Sequence, residues 1–283
     1  MCTIADCLLR HKELLNSSDS ALLDTELLLA EALNKERTYL RTWPEKALSD
    51  EQLAAFSNAF SRRLTGEPVA HILGYREFWT LRLAVNPSTL IPRPDTEILV
   101  EQALQAFQPD EAITVLDLGT GTGAIALALA SECPNWHITA VDVEPAAVAL
   151  AQHNQQYNQL NNVTILRSDW FTAIDGQRFD MIVSNPPYIA HDDAHLSQGD
   201  VRFEPDSALT ADNNGMADIE HIAGNSRQHL KPNGRLLLEH GYNQGQAARD
   251  CLLQQGFQQV RTVKDYGDND RITLGQYSTG QPL

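Results

Sequence analysis

From Thr3 to about Gly66 the apolar residues recur at helical spacing. Ile4, Leu8 and Leu15 mark a first amphipathic segment, Leu22, Leu23, Leu27 and Leu28 a second, and Leu53, Phe56, Phe60 and Leu64 a third. Ser49 followed by Gln52 has the spacing of a capping box for the third, and Gly66 with Pro68 closes it. The pattern predicts a small helical bundle over residues 1–66. Stripes of this kind ordinarily become core, so no chemistry is assigned to the unit, whose role is recognition or support.

Over residues 67–90 the pattern changes to partial alternation, with Phe78, Trp79, Leu81, Leu83 and Val85, which predicts a short β-hairpin linking two domains. The stretch from Leu90 through Pro92, Arg93 and Pro94 to Glu97 is a stiff loop, and Asp95 or Thr96 is placed to cap a helix running through Leu104. Arg93 either closes over a ligand or stands in solvent.

Beyond Ala112, short apolar runs alternate with helical patterns, as in a doubly wound α/β domain spanning 91–283. Strands are expected at 112–118, 137–142, 163–168, 179–184 and 235–240, with helices at about 123–133, 145–157, 215–230 and 244–255. The last two strands, 257–263 and 271–277, are joined only by Lys264 to Asp270, too short for a helical crossover, so they pair antiparallel. The expectation is a mostly parallel seven-stranded sheet ending in an antiparallel hairpin, which differs from a dehydrogenase-type Rossmann fold. Gly280 to Leu283 reads as a frayed tail.

Composition narrows the function. The chain has 283 residues, enough for roughly two ordinary domains. It carries 21 Lys plus Arg against 37 Asp plus Glu, a net charge of −16, with no dense cationic block, which argues against a nucleic-acid substrate. No apolar run is long enough for a membrane span, and the N-terminus lacks a secretory pattern, so no membrane partner and a cytoplasmic location are expected. Cys2, Cys7, Cys133 and Cys251 are scattered, without the paired spacing of a metal site, and read as reduced thiols; no metal is expected.

The candidate chemistry lies at the ends of the predicted strands. Asp117-Leu118-Gly119-Thr120-Gly121-Thr122-Gly123 ends the first and opens a helix. Its glycines allow a tight turn and close approach to a ligand. The Gly-x-Gly-x-Gly spacing differs from the pyrophosphate fingerprint, and Asp117 would repel a phosphate, so a cationic or zwitterionic nucleoside fits better. Asp142 ends the next strand, 19 residues after Gly123, where a carboxylate accepts from both ribose hydroxyls. Asp169 and Trp170 follow the third strand, placed to accept from an adenine amino group and to cover its ring. Singly, each has an ordinary structural explanation as a helix cap or core aromatic.

Asn185-Pro186-Pro187-Tyr188 follows the fourth strand. Two prolines remove backbone donors and hold Asn185 extended, leaving the Asn185 side-chain oxygen and the Pro186 carbonyl as acceptors for a planar NH2 group, with the Tyr188 face available for stacking. Alone, the tetrapeptide would equally suit a plain turn. Ligands of open α/β sheets bind outside the carboxyl ends of the strands, so these four features line one crevice.

The combination resembles class I S-adenosylmethionine-dependent methyltransferases, and Asn-Pro-Pro-Tyr narrows it to those acting on planar amino or amide nitrogens. Over its whole length the chain is similar to the peptide chain release factor glutamine methyltransferases, which share the N-terminal helices, Ile91 to Glu97, the glycine loop, Asn185 to Tyr188 and Arg202-Phe203-Glu204-Pro205 in the same order. Asp95 stands where many members carry Glu. The resemblance implies a methyltransferase-type sheet and methylation of the glutamine of the Gly-Gly-Gln tripeptide in class 1 release factors, with the N-terminal helices helping to hold that protein. It implies cofactor contacts from Gly119 to Gly123, Asp142, Trp170 and Asn185, and substrate contacts from Asn185, Pro186, Pro187 and Tyr188. A ribosomal-protein glutamine methyltransferase shares the loop and two-domain plan. A DNA adenine N(6)-methyltransferase would call for a basic recognition region, and a non-catalytic S-adenosylmethionine sensor would have no use for paired acceptors.

Overall fold

The computed structural model describes residues 2–108 and 110–278; the expected tail from Gly280 to Leu283 lies outside them. The chain divides into two units, 1–75 with 194–203, and 76–193 with 204–283.

The first unit is helical: α1 (Ile4–Leu9), α2 (Ala21–Leu33), α3 (Arg37–Thr42), α4 (Asp50–Leu64) and α5 (Val69–Leu73). Thr3 and Ser49 each form a complete capping box, the latter with Gln52 as the spacing predicts. The core is built by Ile4, Leu14, Leu28, Leu29, Leu33, Leu40, Phe56 and Phe60. Leu15, Leu22, Leu23 and Leu64, expected inside, are exposed. On α2 the buried stripe runs through Ala21, Thr25, Leu28 and Leu29, and Leu22 and Leu23 lie off that face. Arg63 is buried among acceptors: its Nε donates to Asp24 Oδ2 at 2.8 Å, and its Nη1 to Asp200 Oδ1 at 3.0 Å and to the Gly66 and Glu67 carbonyls at 3.2 and 3.1 Å.

The 67–90 stretch is not hairpin throughout. After Pro68 the chain turns once more into α5, which Gly74 ends in the left-handed conformation (φ 78°). Only β1 (Tyr75–Phe78) and β2 (Leu81–Ala84) form the two-stranded sheet.

The second unit holds α6 (Glu97–Leu104), β3 (Thr114–Leu118), α7 (Ala124–Glu132), β4 (His137–Asp142), α8 (Pro145–Tyr157), β5 (Val163–Arg167), β6 (Phe179–Ser184), a helical turn α9 (Asp212–Gly215), α10 (Ala217–His229), β7 (Leu230–Glu239), α11 (Gly245–Gln254), β8 (Phe257–Lys264) and β9 (Asp270–Tyr277). The seven-stranded sheet has the order β5-β4-β3-β6-β7-β9-β8. β3 through β7 pair parallel, whereas β9 is antiparallel to both β7 and β8. Successive residues face opposite layers: Val115, Met181, Val183 and Leu237 join a core with α6 and α7, and Leu116, Ile182, Leu236 and Leu238 join one with α10. Chain order reverses between β3 and β6, opening a crevice at their carboxyl ends.

The expected cap on α6 does not form. Its first turn is preceded by a 3-10 turn, Pro94–Thr96, and Thr96 sits in helical geometry with its hydroxyl engaged elsewhere. No helix among the described residues is long and apolar enough to cross a membrane, and no described cluster of His, Cys, Asp and Glu has the makings of a metal site.

Candidate active site

The glycine loop leaves β3 through three left-handed positions, Gly119 (φ 67°), Gly121 (φ 55°) and Gly123 (φ 85°), a path that side-chain-bearing residues take only under strain. The loop is pinned on both sides. Thr120 N–H donates to the Val141 carbonyl at 2.9 Å, and Gly121 N–H donates to Asp142 Oδ2 at 2.9 Å. Asp142 Oδ1 accepts from Glu144 N–H at 3.0 Å, so the carboxylate is fixed at the end of β4 with lone pairs left for a ligand. Burial pushes its carboxyl above the ordinary range, an effect these backbone donors offset.

A cavity at this sheet edge is lined by Gly119, Thr120, Gly121, Thr122, Asp142, Asp169, Trp170, Asn185 and Pro187 among the residues singled out from sequence. Trp170 adopts a positive φ (44°), and its ring lies 3.7 Å from the point a Cβ on Gly119 would occupy. The remaining members stand behind the lining. Asp117 is fully buried and its Oδ2 accepts from Thr120 Oγ1 at 2.6 Å; burial pushes its carboxyl up to about 7. Gly123 packs against Leu127 and Ala151, where a Cβ would stand within 3.1 Å of Leu127.

In the reactive loop, Ser184 Oγ donates to the Leu118 carbonyl at 2.7 Å, binding the exit of β6 to that of β3. Asn185 Nδ2 donates to Thr96 Oγ1 at 3.2 Å. Pro186 is buried. Tyr188 does not offer its ring to the cavity as expected: the ring packs against the α10-side core and its hydroxyl donates to buried Glu239 Oε1 at 3.5 Å. Burial raises the phenol further above its usual value. Its carbonyl accepts from Gln244 Nε2 at 2.9 Å, and Gly215 runs so close that a Cβ would stand 2.1 Å from that oxygen. Arg93 lines the cavity and is paired, its Nη2 donating to buried Glu204 Oε2 at 2.5 Å while its side chain stays 31% exposed. Glu204 Oε1 accepts from Ile91 N–H at 2.9 Å, so Glu204 of the Arg202-Phe203-Glu204-Pro205 stretch ties to the loop that carries Arg93.

Several residues that build the site lack a motif. Asn154 on α8 is fully buried; it accepts from Ala84 N–H at 2.7 Å and donates to the Ala84 and Thr122 carbonyls at 3.1 and 2.9 Å. It stands on the same helical stripe as Ala147, Leu150 and Ala151, and a lone amide on an apolar face was the available signal. Glu239 ends the apolar run Leu236 to Leu238 inside the protein, where a carboxylate requires partners. Ser207, Ala208 and Asp218 complete the cavity wall.

Comparison with known proteins bears on the family and the fold. The methyltransferase small domain profile matches residues 94–202 and the PrmC N-terminal domain profile matches residues 6–74. A release factor glutamine methyltransferase from Shewanella oneidensis is 58% identical over 94% of this chain and 93% of its own length. One of the same name from Escherichia coli is 55% identical over 93% of this chain and 95% of its own. In fold, a methyltransferase from Pyrococcus furiosus superposes with a TM-score of 0.55, covering 78% of this chain and 99% of that one at 18% identity. With such identity along nearly its whole length, the chain belongs to the release factor glutamine methyltransferase family.

Proposed function

We propose that the protein transfers a methyl group from S-adenosylmethionine to the side-chain amide nitrogen of the glutamine in the Gly-Gly-Gln tripeptide of class 1 release factors. The observation that carries this reading is that Asn185 and Pro187 line the same cavity as the glycine loop, Asp142 and Trp170. The donor set suits that cofactor: a cradle of left-handed glycines for close approach, and a fixed carboxylate at the end of β4 for ribose hydroxyls. When bound, the cofactor supplies an electrophilic sulfonium methyl.

The chain's own residues bind and orient. Asp142 accepts from the ribose, Asp169 from the adenine amino group, and Trp170 covers the ring. An amide nitrogen shares its lone pair with its carbonyl and is a poor nucleophile. Asn185 Oδ1 and the Pro186 carbonyl accept its two N–H groups, align it for in-line attack and stabilise the positive charge that develops. Acceptors of this kind contribute about 2.7–4 kcal/mol each at the transition state. Tyr188 acts from behind the loop, through Glu239. The helical unit of 1–75 with 194–203 serves to hold the protein substrate.

The test is Asn185→Ala. It should lose about 100-fold or more in methyl transfer, while still binding cofactor by calorimetry. Turnover near wild type would refute the acceptor role.

A further inference from the structure

At the start of a helix the residue before the N-cap and the fourth residue of the helix pack against one another as a staple. On α1 the N-cap is Thr3, and its capping box is complete: Thr3 N–H donates to Asp6 Oδ2 at 2.8 Å and Asp6 N–H to Thr3 Oγ1 at 3.2 Å. The two staple places therefore fall to Cys2 and Cys7. Cys7 is buried in the core of the helical unit and Cys2 packs half-buried against it. Their sulfurs lie 3.5 Å apart.

In sequence the pair has none of the spacings of a thiol motif. The capping geometry makes the two sulfurs neighbours, and the surrounding backbone keeps them so. Cys7 N–H donates to the Thr3 carbonyl at 3.1 Å, Leu48 N–H to the Cys2 carbonyl at 3.0 Å, and Ile4 N–H to the Lys46 carbonyl at 2.9 Å. A disulfide holds its sulfurs about 2.05 Å apart, so they need close by about 1.5 Å, which side-chain rotation at half-buried Cys2 supplies.

We propose that Cys2 and Cys7 are a thiol–disulfide modification site: a small-molecule disulfide of the glutathione type oxidises the pair, and the noncovalent staple of α1 becomes a covalent one. Cys133 at the end of α7 and Cys251 on α11 lie in the other unit and take no part.

The order of reaction follows from access. Burial and the hydrogen bond with Cys2 push the Cys7 thiol up to about 12, so it stays protonated and reacts second. Cys2 loses its proton to solvent, and its thiolate attacks one sulfur of glutathione disulfide. A Cys2–glutathione bond forms and one glutathione leaves as thiolate. Cys7 then gives its proton to solvent and attacks the Cys2 sulfur, expelling the second glutathione. Two thiols are oxidised to one disulfide, and one glutathione disulfide is reduced to two glutathione molecules. The closed ring restricts the opened chain, which favours the formed start of α1.

The test equilibrates the full chain in glutathione buffers from fully reduced to fully oxidised, quenches with acid, alkylates the unfolded protein and maps the thiols by mass spectrometry. In the oxidised buffers Cys2 and Cys7 should be recovered as one cross-linked peptide within a single chain, reopened by dithiothreitol. Cys7→Ala should stop at a glutathione adduct on Cys2, and Cys2→Ser should leave Cys7 unmodified over the same time. In oxidised wild type, amide exchange across Ile4–Leu9 should slow about tenfold and recover on reduction. All four cysteines alkylated at the oxidised end, a Cys2 adduct that persists in wild type, or a bridge from Cys2 to any other cysteine overturns the proposal. So does equal exchange in the two redox states, because the bridge would then not act on the helix start. Wild type carries these deciding outcomes, so they stand even where a variant does not fold.

Discussion

Asn154→Ala is expected to unsettle the methyltransferase unit and its cofactor site together. The side chain is fully buried and makes three hydrogen bonds, two to Ala84 on β2 and one to the Thr122 carbonyl inside the glycine loop. Each is worth about 1 kcal/mol net, and a desolvated partner left behind costs about 1–3 kcal/mol. Ala84 is half-buried and regains some water, whereas Thr122 is buried. The expected loss is thus about 2–4 kcal/mol, well outside the ordinary effect of a surface change. Asn154→Asp sharpens the test. It keeps the acceptor for Ala84 N–H but exchanges both donors for a charged oxygen facing two carbonyls, so at pH 7 it should destabilise at least as much as Asn154→Ala. Urea unfolding followed by tryptophan fluorescence and circular dichroism gives the stability, and calorimetry gives cofactor affinity, which should fall because Thr122 belongs to the loop. A change under about 0.5 kcal/mol with unaltered affinity would refute the assignment.

Asp142→Ala should weaken cofactor binding by about 1.5–3 kcal/mol, the worth of hydrogen bonds to a charged acceptor; an unchanged dissociation constant by calorimetry would remove Asp142 from the ribose. Stability of the cofactor-free protein should decline as pH rises from 5 to 8. Asp117 and Glu239 have carboxyls pushed up to about 7 by burial, so the folded state binds more protons than the unfolded state between the ordinary carboxylate range and 7. Each contributes up to about 3 kcal/mol of such loss. Thermal melts that rise steadily over that window would contradict it. In the helical unit, Arg63→Met strands the buried carboxylate of Asp24, which keeps only the Ser18 and Ser20 hydroxyls, and should destabilise that unit by about 3–5 kcal/mol in chemical denaturation. Wild-type stability would mean the ion pair is dispensable.

The parallel sheet was legible because its strands are short, apolar and separated by helical periods: 137–142 and 179–184 are strands over the same residues in the structure. The Ser49 capping box was legible because its two bonds are local. What sequence left out depends on distant partners. α3 is one short helix without a sustained stripe, and α5 is a single turn hidden between Pro68 and Gly74. Thr96 has the position of a cap, yet its hydroxyl is engaged by Asn185, 89 residues on. Tyr188 reads as a stacking surface until β7 is seen to bury a carboxylate against its hydroxyl. The cavity lining was readable from strand ends; the residues behind it that hold it, Asn154 and Thr96, were not, since hydrogen bonds between remote segments leave no period.

The central claim is tested most directly by incubating the purified chain with S-adenosylmethionine labelled in its methyl group and, in parallel, with class 1 release factors, ribosomal proteins and DNA, then identifying the modified residue. The account predicts label on the release factor alone, as one methyl on the side-chain nitrogen of the Gly-Gly-Gln glutamine. Label confined to a ribosomal protein, or methyladenine as the sole product, would contradict it.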